Sequence, residues 1–194
     1  LAMSTYNINR SYDADKAWSD FDYVKEKPTD SAAAATAMST SVKTVRGYLG
    51  VDEKNQPLEL ITERMEKHGK STGVVTTVPI SHATPAGFVA HHNNRGDYAI
   101  IANQMLRDSK VDVIIGAGHP FYDDNSVEVD TPEYRYVGGK DTWDLLVDKK
   151  LGNNADNDEE IEYWQLITEK EEFKRLMSGP TPERIFGVFK THST

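Results

Sequence analysis

The chain has 194 residues, 38% hydrophobic and 27% charged, which is enough apolar content for one domain with a lean core. Its 31 acidic and 22 basic residues give a formal charge of −9, which excludes the basic face that non-specific nucleic-acid binding needs and disfavours an anionic membrane surface. There is no cysteine, so disulfides and thiolate metal sites are excluded, and no stretch is apolar enough to span a bilayer.

Residues 1–10 are mostly polar and do not read as a signal peptide, so the expectation is a processed chain or one that begins partway through a larger protein. In residues 28–37 four alanines follow Ser31, and alanine is the strongest helix former. Thr29, Asp30 and Ser31 therefore lie at or just before a helix N-terminus. Two readings share that geometry. Asp30 or Ser31 caps the helix, or Ser31 presents a hydroxyl where unpaired N–H groups and the helix dipole favour an anion.

Residues 57–68 carry Leu58, Ile61 and Met65 at helical spacing and stop at Gly69, which predicts a helix with His68 at its C-terminus. Residues 73–78 (GVVTTV) read as a buried strand. After Pro79 come His82 and Thr84, with Thr84 before Pro85 predicted as an N-cap. Ligands in α/β sheets bind beyond the carboxyl ends of strands, which is where His82 and Thr84 fall. Arg95 follows one short helix and could fold back over the same crevice; its guanidinium fork matches two phosphate oxygens. The bland alternatives are a cap for Thr84, a loop residue for His82 and a surface residue for Arg95.

Residues 98–106 predict a helix capped by Asp97, and 111–115 (VDVII) a second strand, closed by Gly116-Ala117-Gly118. Residues 151–162, crowded with Asn, Asp and Glu, read as an exposed connection; a calcium loop there would lack the regular alternation of oxygen ligands. Residues 168–177 predict a helix and 184–189 (RIFGVF) a third strand. Apolar strands without polar alternation, separated by helices, predict a layered α/β fold with a mostly parallel central sheet covered on both faces. His68, His91, His92, His119 and His192 read as structural or solvated rather than as metal ligands.

Thr29-Asp30-Ser31-Ala32 with its alanine-rich helix, His82-Ala83-Thr84-Pro85-Ala86 and Arg95 together resemble the alkaline phosphatase family. The resemblance runs from about Tyr6 to His192 and takes in Gly116-Ala117-Gly118-His119-Pro120 and Ile185-Phe186-Gly187-Val188-Phe189. It implies that Ser31 is the nucleophile that forms a phosphoseryl intermediate and that Arg95 clamps the non-reacting phosphate oxygens. It implies that Asp30 helps hold Arg95 and that Thr84 is a magnesium ligand. His82 takes a position that is Asp or His among members and tunes the third metal site through water. Ser31 itself would meet zinc.

The cofactors implied are two zinc ions and one magnesium ion, and the substrates are phosphate monoesters. A homodimer and a periplasmic or secreted location carry over in the same way. The family's Gly-Asp-Gly-type motif upstream of the nucleophile has no match before Ser31, and the downstream Glu, Asp and His ligands would fall beyond Thr194. The expectation is therefore one partial domain over residues 1–194, inactive or nearly so by itself and poorly stable, with strands exposed where neighbours are missing. A non-catalytic phosphate-binding module and a related sulfatase or phosphodiesterase are the competing readings.

Overall fold

A computed structural model describes residues 6–9, 13–152 and 161–193. Two short helices, α1 (Ala14–Ser19) and α2 (Phe21–Lys25), open it and bury nothing. They lead into α3 (Ser31–Thr40), whose small residues Ala32, Ala33, Ala35 and Thr36 are buried against α5 (Ala83–Ala86). Between these lies α4 (Ile61–Glu66) and then β1 (Gly73–Pro79). After α5 the chain forms α6 (Tyr98–Asn103), one π-helical turn (Gln104–Asp108) and β2 (Val113–Ala117). A 3-10 turn (Arg135–Val137) precedes α7 (Lys140–Val147), then β3 (Gln165–Ile167), α8 (Lys170–Arg175) and β4 (Ile185–Val188).

The four strands form one parallel sheet in the order β1-β2-β4-β3. The expected layered α/β fold with a mostly parallel sheet and flanking helices is what the chain adopts. Ile114, Phe186 and Val188 from the two central strands pack against Ile101, Met105, Leu106, Leu146 and Trp164. At roughly 25 cal/mol per Å² of apolar surface removed from water, such a cluster is the main stabilising term. The Trp164 indole N–H donates to the Leu106 carbonyl at 2.8 Å, tying the start of β3 to the π turn.

Several expectations shift. Coverage on both faces holds for β4, which is buried throughout, but not for β1, where exposure alternates and Val75 is 71% exposed at the sheet edge. The helix expected over 57–68 contracts to α4, because Glu63 Oε2 takes the Leu60 N–H (2.9 Å) and starts the helix there. The helix over 98–106 leaves α geometry after Asn103, in the turn whose Leu106 carbonyl the indole occupies. Leu151 is buried at 1% exposure rather than part of an exposed connection, while Ile161 and Glu162 are exposed. The calcium-loop reading falls on residues 153–160, outside the described residues. Neither α7 nor β3 was expected. His192 packs its ring against Tyr136 with centroids 4.8 Å apart.

Candidate active site

The site begins at the junction of a loop and α3. Asp30 is extended (φ −110°, ψ 173°) and caps the helix, its Oδ1 accepting the N–H groups of Ala33 (3.1 Å) and Gly47 (3.2 Å). Ser31 is thus the first helical residue. Arg95, 64 residues later, donates through Nη1 to Ser31 Oγ (2.8 Å) and to Asp30 Oδ2 (3.0 Å). Burial alone would raise the Asp30 pKa. The hydrogen bonds from Ala33, Arg95 and Gly47, with the guanidinium charge, outweigh it and hold the carboxyl below its ordinary value. The structure thus brings Ser31, Asp30 and Arg95 together in one hydrogen-bonded group.

His82 stands at the N-cap position of α5, and its ring stacks on Tyr98 with centroids 6.0 Å apart and planes 9° from parallel. Burial, and then the positive charge of Arg95, lower its pKa, so the ring is neutral at pH 7 and close enough to feel Arg95. Thr84 is exposed at the second position of α5, so it does not cap the helix. The α5 helix starts two residues earlier than expected because the Ala86 N–H already bonds the His82 carbonyl (3.0 Å). Pro85 then sits at the third position, where its missing N–H still costs nothing. Asp97 likewise makes no cap bond; its carboxylate holds His92 Nε2 (2.8 Å) and Asn94 Nδ2 (2.8 Å).

The hydroxyls of Ser81, beside His82, and Thr29, beside Asp30, are buried without a hydrogen-bond partner among the described residues. No local pattern singles out Ser81, Gly47 or Tyr98, because their parts here depend on contacts made across the fold. A cavity of about 480 Å³ lies against Glu63, His91 and Gln104; neither Ser31 nor Arg95 lines it, so it is separate from this group.

His119 and His91 make contacts within the protein. His119 is 6% exposed among Phe121, Tyr122 and Trp143, and burial drives its pKa down to about 4. His91 places Nδ1 2.7 Å from the Gly50 carbonyl and Nε2 2.9 Å from Glu63 Oε1. Both partners accept, so the ring must be an imidazolium to satisfy both. Burial would lower the His91 pKa, but the bonds to Glu63 and Gly50 raise it above 6.5. Burial would raise the Glu63 pKa, but His91 and the Leu60 N–H bring it below 4.5.

The His91 contribution to stability is complete below pH 6.5 and is lost as pH rises through the raised folded value. The Glu63 contribution is complete above pH 4.5 and is lost as pH falls through its lowered value. The pair is therefore most stabilising between those limits. His91→Gln is expected to lower the urea midpoint more at about pH 6 than at about pH 9, and equal losses at both would contradict the protonated bridge.

The residues do not assemble a zinc centre. Zinc takes three or four nitrogen, sulfur or carboxylate donors, and no group of three or more His, Asp or Glu among the described residues could hold a metal ion. Ser31, His82 and Thr84 would at most complete a shell whose other donors lie outside the described residues.

A family model described as alkaline phosphatase matches residues 5–194. Alkaline phosphatase 4 of Bacillus subtilis is 38% identical over 115 residues, which is 57% of this chain and 25% of that protein. The repressible alkaline phosphatase of Saccharomyces cerevisiae is 32% identical over 156 residues, 78% of this chain and again 25% of the relative. This chain thus spans about a quarter of the length of these relatives. The crystal structure of a cold-active alkaline phosphatase from a psychrophilic Shewanella superposes with a TM-score of 0.61 at 31% identity, over 86% of this chain and 33% of that one. A mutant of the alkaline phosphatase from the Antarctic bacterium TAB5, with magnesium bound in its M3 site, superposes with a TM-score of 0.56 at 27% identity, over 86% of this chain and 40% of that one. The match across nearly the whole chain, joined to Ser31 and Arg95 meeting at a helix N-terminus, places this chain in the alkaline phosphatase family.

Proposed function

We propose that this chain supplies the nucleophile and phosphate clamp of a phosphomonoesterase, with Ser31 as the attacking residue. The observation that carries the reading is the single Arg95 nitrogen bound to both Ser31 Oγ and Asp30 at the α3 N-terminus. In the reaction, Ser31 Oγ gives up its proton to water and bonds to phosphorus while the ester oxygen leaves with its electron pair and takes a proton from water. A water molecule then displaces the serine and releases inorganic phosphate. Arg95 and the first N–H groups of α3 hold the equatorial oxygens where negative charge accumulates. Asp30 fixes the guanidinium. A monoester suits this clamp better than a diester, because it offers Arg95 two free oxygens.

Proton accounting limits the chain by itself. Ser31 Oγ accepts from Arg95, and no carboxylate or imidazole among the described residues accepts the Ser31 proton. The family resemblance points to zinc and magnesium for activation, and the donors for them are not assembled here. The 194-residue chain should therefore hold phosphate without turning over esters. Incubated with p-nitrophenyl phosphate, zinc and magnesium at alkaline pH, it is expected to release no p-nitrophenol above the buffer rate; strong turnover abolished by Ser31→Ala would refute this. In a longer polypeptide that includes the metal ligands, Ser31→Ala should lower kcat by roughly a thousandfold or more. Turnover surviving that substitution would remove Ser31 from the nucleophile role. A homodimer and a periplasmic or secreted location belong to the same proposal and are supported by the family resemblance alone.

A further inference from the structure

We infer that the turn at residues 47–50 is a positioning strap for the clamp, and that the Thr36 hydroxyl is the tether that sets it. The inference rests on the proposed function, since it concerns how Arg95 and Asp30 are held for phosphate. Gly47 touches both partners through its backbone: its N–H donates to Asp30 Oδ1 (3.2 Å) and its carbonyl accepts from the Arg95 N–H (2.9 Å). Asp30 and Arg95 are 65 residues apart in sequence, and this one residue bridges the Asp30 carboxylate and the Arg95 backbone. Gly47 has φ +88°, in the left-handed region that favours glycine, while an added Cβ would meet nothing within 4 Å. Its requirement is for backbone direction and not for space.

The turn is held from two sides. On the inner side, Thr36 Oγ1 donates to the Tyr48 carbonyl (3.1 Å) and accepts from the Gly50 N–H (3.0 Å). Thr36 is fully buried on α3, five positions beyond Ser31, so the nucleophile's own helix carries the tether. On the outer side, Leu49 and His92 exchange both backbone hydrogen bonds at 2.8 Å, and the His91 imidazolium donates to the Gly50 carbonyl. Asp97 binds His92 and Asn94, three and one positions before Arg95, and so braces the loop that carries the guanidinium. Clamping a phosphate oxygen needs placement to a fraction of an ångström, which packing and hydrogen bonds behind the contacting residue must supply. None of Thr36, Gly47 or His91 meets Ser31 itself; they act through Asp30 and Arg95.

Amide hydrogen exchange on the 194-residue chain tests this directly. Thr36→Val removes both tethering bonds at nearly constant volume, and Thr36→Ser keeps the hydroxyl. In Thr36→Val the Gly47, Gly50 and Arg95 amides are expected to exchange about tenfold faster, while the Ile185 and Phe189 amides, which donate to the Asp112 and Gly116 carbonyls along β2, keep their wild-type rates. Thr36→Ser should restore slow exchange, and inorganic phosphate affinity should fall in the first variant and recover in the second. Unchanged Gly47 and Arg95 exchange in a folded Thr36→Val overturns the strap, as does loss that Thr36→Ser fails to rescue. Should Thr36→Val not fold, His91→Gln loosens the opposite side from a part-exposed position and is read on the same amides, where wild-type rates again overturn the proposal. Wild-type chain that binds no inorganic phosphate would count against the clamp reading, and the exchange rates would still decide the strap.

Discussion

Arg184→Ala is expected to lower the unfolding free energy by about 3 kcal/mol, through a cavity and two stranded carbonyls. Arg184 is 1% exposed at the start of β4. Its Nε and Nη2 donate to the Val111 carbonyl (3.2 and 2.7 Å), and Nη2 also reaches the Ser109 carbonyl (3.0 Å). The guanidinium lies 3.8 Å from the centre of the Trp164 ring. It therefore joins the ends of the π turn, β2, β3 and β4 on one side of the sheet. Burial draws its pKa down to about 10, against the pull of Glu162, Asp112 and Glu66, so the buried charge is a net cost that the hydrogen bonds and stacking offset. Arg184→Met, which removes that charge while filling most of the space, should be milder, at about half the loss. Urea midpoints of the two variants check the order; equal losses in the two would show that the charge and hydrogen bonds, removed by both, outweigh the packing.

Arg184 also shows what the sequence could and could not disclose. The run at 184–189 reads as a strand, and its apolar residues Ile185, Phe186 and Val188 are buried as that pattern predicts. Nothing in the run says that its leading arginine turns inward, because the carbonyls that receive it come from residues 109 and 111. The start of α3 was legible for a local reason: Asp30 followed by Ser31 and alanines is a cap and a helix, and the cap forms.

Arg95 was not legible in that way. A lone arginine after a short helix has no local signal, and only family resemblance connected it with Ser31. What joins them physically is a hydrogen bond across 64 residues, with the Gly47 turn tying the Arg95 backbone to the Asp30 carboxylate beside it. Thr84 was misjudged as a cap because proline was given the first helical position when it occupies the third. The strand β3 is three residues long, too short for any alternation to show, and is fixed by pairing with β4. In α7 only Thr142, Trp143 and Leu146 are buried among lysines and aspartates, so its apolar stripe is narrow. Residues 73–78 read as a buried strand, and their valines and threonines carry no sign that one face of β1 stays open.

Arg95→Ala is expected to weaken binding of inorganic phosphate to this chain by about 2–3 kcal/mol, or roughly 30- to 150-fold in Kd. The guanidinium spends Nη1 on Asp30 and Ser31, and its Nη2 and Nε make no hydrogen bond among the described residues. Those two nitrogens form the planar fork that pairs with two oxygens of a phosphate. Each charge-assisted bond is worth roughly 1.5–3 kcal/mol, partly cancelled by stripping water from a side chain that is 28% exposed. Arg95→Lys keeps the charge but offers no fork, so it should fall between the wild type and the alanine variant. The fold should tolerate either change with a loss of about 1 kcal/mol, because Asp30 keeps the Ala33 and Gly47 N–H groups when the guanidinium is gone. Isothermal titration with phosphate, set beside urea midpoints, separates the two effects. Equal phosphate affinity in the wild type and Arg95→Ala would mean that the α3 N-terminus alone holds the anion. The Asp30–Arg95 pair would then serve only to pin the Gly47 turn against the helix, and the site would lack the clamp on which monoester selectivity depends.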